Sequence, residues 1–224
     1  METFSKKILN YAMSNNYIQS EQYDEYLYML TIFLNILVHD ITMLCIGFAM
    51  GMIWECIVFW TVYKVLRKYC GGYHFSTSFK CYLSSCALCI IALCIIKYAK
   101  LPVVLTSGGA VVCCVILFFI SPVAAVNKPL DEAENIMYGK IARILTFVFL
   151  IIYATVILLK FYMVAKVIAL GIISVTLFAV IGKIPHKSWK MGISVAYPTD
   201  IPVFYRLGIK ATTQAKSIDI LCYV

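Results

Sequence analysis

The chain has 224 residues, a formal net charge of +8 and a mean hydropathy of +0.89, with 62% hydrophobic and only 13% charged residues. An average soluble domain is about 25% charged, so these values exclude an ordinary water-soluble globule, and several apolar runs reach the roughly 18 residues of a membrane-span candidate. Nor is the positive charge a nucleic-acid footprint: the cations sit mainly between the apolar runs and no DNA- or RNA-binding motif occurs, which fits membrane topology and anionic lipid headgroups.

Residues 1–26 are mixed in character. METFSKKILNYAMSNN lacks the apolar core and small-residue cleavage site of a signal peptide. The first apolar run is therefore expected to serve as a retained insertion signal. Phe4, Ile8, Leu9, Tyr11, Ala12 and Met13 give part of an apolar helical face, with Lys6 and Lys7 on the other side. This predicts an amphipathic helix on the membrane surface, with a packed or frayed terminus as the alternative.

Residues 27–66 are too many for one span and right for two, with the turn predicted near Gly47 to Gly51. His39, Asp40 and Glu55 interrupt this run. Ionisable groups at membrane depth are costly and usually face protein or water, unless they sit at the interface. A polar segment follows at 67–82, RKYCGGYHFSTSFKCY. Further spans are predicted at about 82–96, 102–120, 144–159 and 163–181, with a loop, SPVAAVNKPLDEAENIMYGKIAR, at 121–143. The expected fold is an all-α, polytopic integral membrane protein with about six transmembrane or re-entrant helices plus the N-terminal amphipathic helix. Residues 27–185 form its membrane domain. Residues 186–224 form a C-terminal tail that is less apolar and contains Pro198 and Pro202.

Counting cations gives the orientation. With the N-terminus in the cytoplasm, fifteen of the nineteen Lys and Arg fall inside; only Lys97, Lys100, Lys160 and Lys166 fall outside. This is the asymmetry of the positive-inside rule. It puts both termini and the segment 67–82 on the cytoplasmic side.

The chain has ten cysteines. Cys45, Cys86, Cys89, Cys94, Cys113 and Cys114 lie inside apolar runs, where Cys behaves as a small hydrophobe. The C-x-x-C of Cys86 and Cys89 is embedded in CYLSSCALCIIALCII, a poor setting for redox chemistry. His39, His74 and His186 have no metal-ligand spacing. No metal, cofactor or disulfide framework is expected.

The segment 67–82 is different. A thiol is a useful nucleophile only as thiolate, and a nearby histidine supplies the base. His74 and Cys81 are seven residues apart, about 10 Å along a straight helix, so the pair works only if the chain bends between them. Gly71 and Gly72 provide a break that tolerates positive φ. Ser76, Thr77 and Ser78 are N-cap residue types. With Ser78 as cap, Cys81 falls in the first turn of the next helix, where the helix N-terminus favours a thiolate. Arg67 and Lys68 are candidates to hold a carboxylate or oxyanion, the Arg fork suiting that better. Cys70 is a rival nucleophile without the helix-start setting. A basic juxtamembrane loop with an incidental Cys and His is the plain alternative.

The order Arg67, Gly72, His74, Cys81, with Arg seven residues before His and Cys seven after, resembles the AgrB family of quorum-sensing membrane peptidases in Gram-positive bacteria. The loop SPVAAVNKPL adds to the likeness through Pro122, Asn127, Lys128 and Pro129, with Ser121 where the family has Ala. The resemblance covers roughly residues 1–185; the tail 186–224 departs from it. It implies a cysteine endopeptidase of the bacterial cell membrane. The substrate would be AgrD, a pro-peptide with an amphipathic leader and an acidic tail. Cys81 would attack the bond before that tail, with His74 as base and then acid, leaving a thioester. A substrate cysteine would then displace Cys81 and close a thiolactone. Arg67, Gly72 and Lys68 would support the site, and the enzyme would act as a homodimer. Asp131, Glu132 and Glu134 are acids that could orient His74. Two other classes compete. A small peptide exporter would use His39, Asp40 and Glu55, and a non-catalytic scaffold would need neither Cys81 nor His74.

Overall fold

The computed structural model describes residues 2–184, except 16, 74, 76, 100 and 125–131. The tail 186–224 therefore lies outside the described residues, as do His74, Asn127, Lys128, Pro129 and Asp131. Among the described residues seven α-helices follow one another: α1 Glu2–Ser14, α2 Tyr23–Met50, α3 Ile53–Cys70, α4 Ser78–Tyr98, α5 Val103–Ile120, α6 Glu132–Leu158 and α7 Tyr162–Lys183. Among the described residues there is no strand, only an isolated bridge between Gly71 and Val123.

Five helices, α2 and α4 to α7, are long and apolar enough to cross a membrane. The protein is thus an all-α polytopic membrane protein, as the hydropathy pattern predicts. Besides the 13-residue α1, the helix absent from those five is α3. It carries Glu55, Lys64, Arg67 and Lys68 in 18 residues. Its inner face is deeply enclosed nonetheless, with Phe59, Leu66 and Cys70 fully buried. α7 packs against both α3 and α5, and small residues such as Ala165, Ala169 and Ala179 let its neighbours approach closely. Most outward residues of α5 and α6, Val104, Phe119 and Phe147 among them, are apolar and exposed, as a lipid-facing surface requires.

The predicted hairpin in 27–66 is present. α2 ends at Gly51 in the left-handed conformation, and the amide of Met52 reaches back to the carbonyl of Gly47 at 2.8 Å. That is a Schellman-type stop. Two boundaries differ from expectation. α2 begins at Tyr23. α6 begins at Glu132, about twelve residues before the predicted span, so 132–143 is helix rather than loop. Glu132 and Glu134 sit in its first turn, where acids complement the helix dipole. The hydropathy signal misses this polar turn because it marks only the apolar part of a helix.

In α1, Ser5 and Leu9 are buried while Phe4, Ile8 and Tyr11 stay exposed. The helix packs on α2, and Tyr23 donates to Asn10 at 2.9 Å. The expected apolar face is therefore divided, with Leu9 turned inward and the rest turned outward.

Candidate active site

The loop from α3 to α4 sits where three segments of the chain converge. α3 ends at Gly71, whose amide bonds the Arg67 carbonyl. The backbone then runs beside the α5–α6 connection and α7. The Val123 amide donates to Cys70 at 2.9 Å, and the Gly72 amide donates to Val123 at 3.2 Å. One residue on, the Tyr73 amide donates to Phe178 of α7 at 2.9 Å. Gly71 and Gly72 have φ of +70° and +130°, values that side chains oppose. A Cβ on Gly72 would also run into the Arg67 guanidinium and the Phe178 backbone. The glycine pair expected to break the helix does so, and is pinned on two sides.

Arg67 is 8% exposed. Its guanidinium donates to the Gly71 carbonyl at 2.5 Å and to the Tyr73 carbonyl. It also lies over the Phe178 ring, 5.1 Å from its centre. The fork therefore clamps the turn that leads directly into His74, whose own position lies outside the described residues. An Arg suits this task because its several N–H groups serve separate acceptors from one rigid plane. Lys68, in contrast, is exposed, with Nζ 5.3 Å from the Tyr69 ring; it does not join the buried group around Arg67.

Cys81 is placed where a helix start can act on it. The cap is Thr77 rather than Ser78: its side chain accepts from the Lys80 amide at 3.4 Å. The cap thus falls one residue earlier than predicted, which the β-branched, extended Thr77 backbone permits (φ −133°, ψ 142°). Cys81 remains in the first turn, as expected. Its own amide bonds the Thr77 carbonyl at 3.1 Å, so that N–H is already engaged in the helix. The residue is 7% exposed.

Around it stand residues that spacing did not reveal. Tyr63 of α3 meets Arg67 and Ser85, and lies within electrostatic reach of Cys81. Both Tyr63 and Ser85 are buried. Only the packing of α3 against α4 makes them neighbours, so no local pattern pointed to them.

Cys70, the rival, is fully buried at the end of α3, and burial pushes its thiol up. It is a packing residue in geometry and protonated at neutral pH. Glu132 and Glu134 open α6; the third acid, Asp131, is outside the described residues.

The intramembrane polar residues form a separate cluster. Asp40 accepts from Trp60 at 2.8 Å and from Lys64 at 2.8 and 2.9 Å. His39 is buried between the rings of Trp60 and Tyr82, at 4.7 and 5.1 Å.

No curated protein and no solved structure matches the chain. The family model for AgrB, accessory gene regulator B, matches residues 5–181, from within α1 to the last turn of α7. That match spans the clamped turn, Cys81 and every membrane helix, and the chain belongs to the AgrB family, a membrane protein of autoinducer processing.

Proposed function

We propose that the protein is a membrane-embedded cysteine endopeptidase that processes an AgrD-like pro-peptide. The observation that carries this reading is the pairing of a buried Cys81 in the first turn of α4 with an Arg67 clamp on the turn into His74. His74 takes the Cys81 proton and the thiolate attacks the carbonyl before the substrate's C-terminal tail. The proton passes to the leaving amine, the tail departs and a thioester remains on Cys81. A cysteine of the substrate attacks that thioester. Thioester exchange is nearly isoenergetic, so Cys81 is released without water and a thiolactone closes.

Cytoplasmic placement of both termini and of 67–82 follows from the cation asymmetry. It meets the substrate's acidic tail with positive charge. Working as a homodimer is part of the same family-based reading. Arg67 and Gly72 act on the backbone rather than on substrate, because their contacts are to the loop itself. The exporter reading gains nothing from Asp40, whose carboxylate is taken by Lys64 and Trp60.

The test is co-expression with a tagged pro-peptide, following cleavage by gel mobility. Cys81→Ala, Cys81→Ser and His74→Ala are expected to abolish cleavage, and Cys70→Ala to retain it. Undiminished cleavage by Cys81→Ala would remove the mechanism and leave an export or scaffold role.

A further inference from the structure

Two thiols from different helices meet inside the bundle. Cys56 lies in the first turn of α3 and Cys89 midway along α4. Both are buried, and their sulfurs are 3.6 Å apart. Residue order pairs Cys89 with Cys86, three positions earlier on its own helix; packing brings it to Cys56 instead.

The contact is built from several sides. The Cys56 thiol donates to the Met43 carbonyl of α2 at 3.1 Å. A thiol carries one proton, so the hydrogen between the two sulfurs belongs to Cys89, and the Cys56 sulfur accepts it. Gly47 makes the room, because a Cβ there would stand 2.7 Å from the Cys56 Cβ and 3.2 Å from its sulfur. Lys97 donates to the Met50 carbonyl at 3.0 Å and ties the end of α4 to the α2–α3 hairpin. A disulfide bond is about 2.05 Å long, so the sulfurs need to close by only about 1.5 Å.

The two thiols differ in access. An apolar cavity of about 140 Å³ lies between α2 and α3, and Met43, Leu44, Cys56 and Ile57 help to line it. Leu44 and Ile57 also belong to the exposed apolar surface. A cavity of this size and lining admits a small apolar molecule. Cys56 borders it; Cys89, fully buried, does not.

We infer that Cys56 and Cys89 form a thiol-oxidation site, where a small organic hydroperoxide entering by the cavity converts the pair to a disulfide between α3 and α4. The Cys56 sulfur attacks the terminal peroxide oxygen. The O–O bond breaks, the thiol proton passes to the departing alkoxide to give an alcohol, and Cys56 becomes a sulfenic acid. The Cys89 sulfur then attacks the Cys56 sulfur. The S–S bond forms, the S–O bond breaks, and the hydroxyl leaves with the Cys89 proton as water. The hydroperoxide takes up the two electrons that the thiols lose. The bond fastens together the two helices that carry Arg67 and Cys81, and its formation does not depend on the chemistry of Cys81.

The experiment treats the full chain in lipid vesicles with tert-butyl hydroperoxide, raised until the exposed Cys45 of α2 is oxidised. Free thiols are then alkylated, and the protein is digested without reduction and read by mass spectrometry. A peptide pair linked through Cys56 and Cys89, released by dithiothreitol, is expected. Cys56→Ser should lose the linkage and leave Cys89 free, since Cys56 alone borders the cavity. A Cys86–Cys89 linkage, or oxidised Cys45 with Cys56 and Cys89 both still alkylated, overturns the inference. Oxidised Cys89 in Cys56→Ser overturns the order of attack.

Discussion

α3 carries two polar clusters on adjacent faces, and they are solved in different ways. Trp60 and Lys64, four residues apart, both donate to Asp40 of α2. Tyr63 and Arg67, also four apart, turn instead toward the α3–α4 loop and Ser85 of α4. In the first cluster a carboxylate closes the charge, and the result is an ion pair at 2.8 Å between half-buried groups. In the second, the cation meets two backbone carbonyls, a phenol and the face of an aromatic ring. A buried charge spent on loop carbonyls orders the loop, whereas a charge spent on a carboxylate joins two helices. Ionisable residues in a membrane bundle are therefore not equal evidence of function: Asp40 and Lys64 join α2 to α3, whereas Arg67 orders the turn that the proposed mechanism uses.

Substitutions in the two clusters should part accordingly. The largest effect is expected from Gly72→Ala. A Cβ there meets the Arg67 guanidinium and the Phe178 backbone at a φ of +130°, so the turn into His74 must move. Displacements of about 1 Å cost about a hundredfold in rate. Pro-peptide cleavage should drop by that order while the helical circular dichroism is retained. Arg67→Lys comes next, since an ammonium cannot serve separate carbonyls from one plane. About a tenfold loss of cleavage is expected; activity equal to wild type would show that charge alone suffices.

In the assembly cluster the readout should reverse. Asp40→Ala leaves the Trp60 N–H and Lys64 without their acceptor, costing about 1–2 kcal/mol. It should lower the Tm in detergent yet leave cleavage near wild type below that temperature. Lost cleavage at unchanged Tm would merge the two clusters and break the comparison. The smallest effect is expected from Cys70→Ala, a packing change worth about 1 kcal/mol, with cleavage kept.

Much of this arrangement is legible from residue order alone. The break at Gly71-Gly72, the hairpin stop at Gly51 and the position of Cys81 in a first helical turn depend on local backbone chemistry, which neighbouring residues reveal. The cap moved by one residue, from Ser78 to Thr77, because adjacent hydroxyl residues are near-equivalent caps and tertiary contacts choose among them. α6 reaches back to Glu132 because its first turns are polar and hydropathy cannot see them. Tyr63 and Ser85 are invisible to any local pattern: they lie 18 residues before and four after Cys81, on different helices, and look like ordinary span residues. Arg67 stands out in the sequence as a charge, but its acceptors, the carbonyls of Gly71 and Tyr73, exist only once the turn has formed.

The central claim is that Cys81 becomes covalently acylated. Wild-type protein and a Cys81→Ser variant should be incubated with a pro-peptide whose internal cysteine is replaced by alanine, which blocks release by cyclisation, and then digested and analysed by mass spectrometry. The account predicts a hydroxylamine-sensitive adduct of the tail-less peptide on Cys81 in wild type. Cys81→Ser should show no such thioester. An adduct on Cys70, or cleavage with no adduct in either protein, would contradict it.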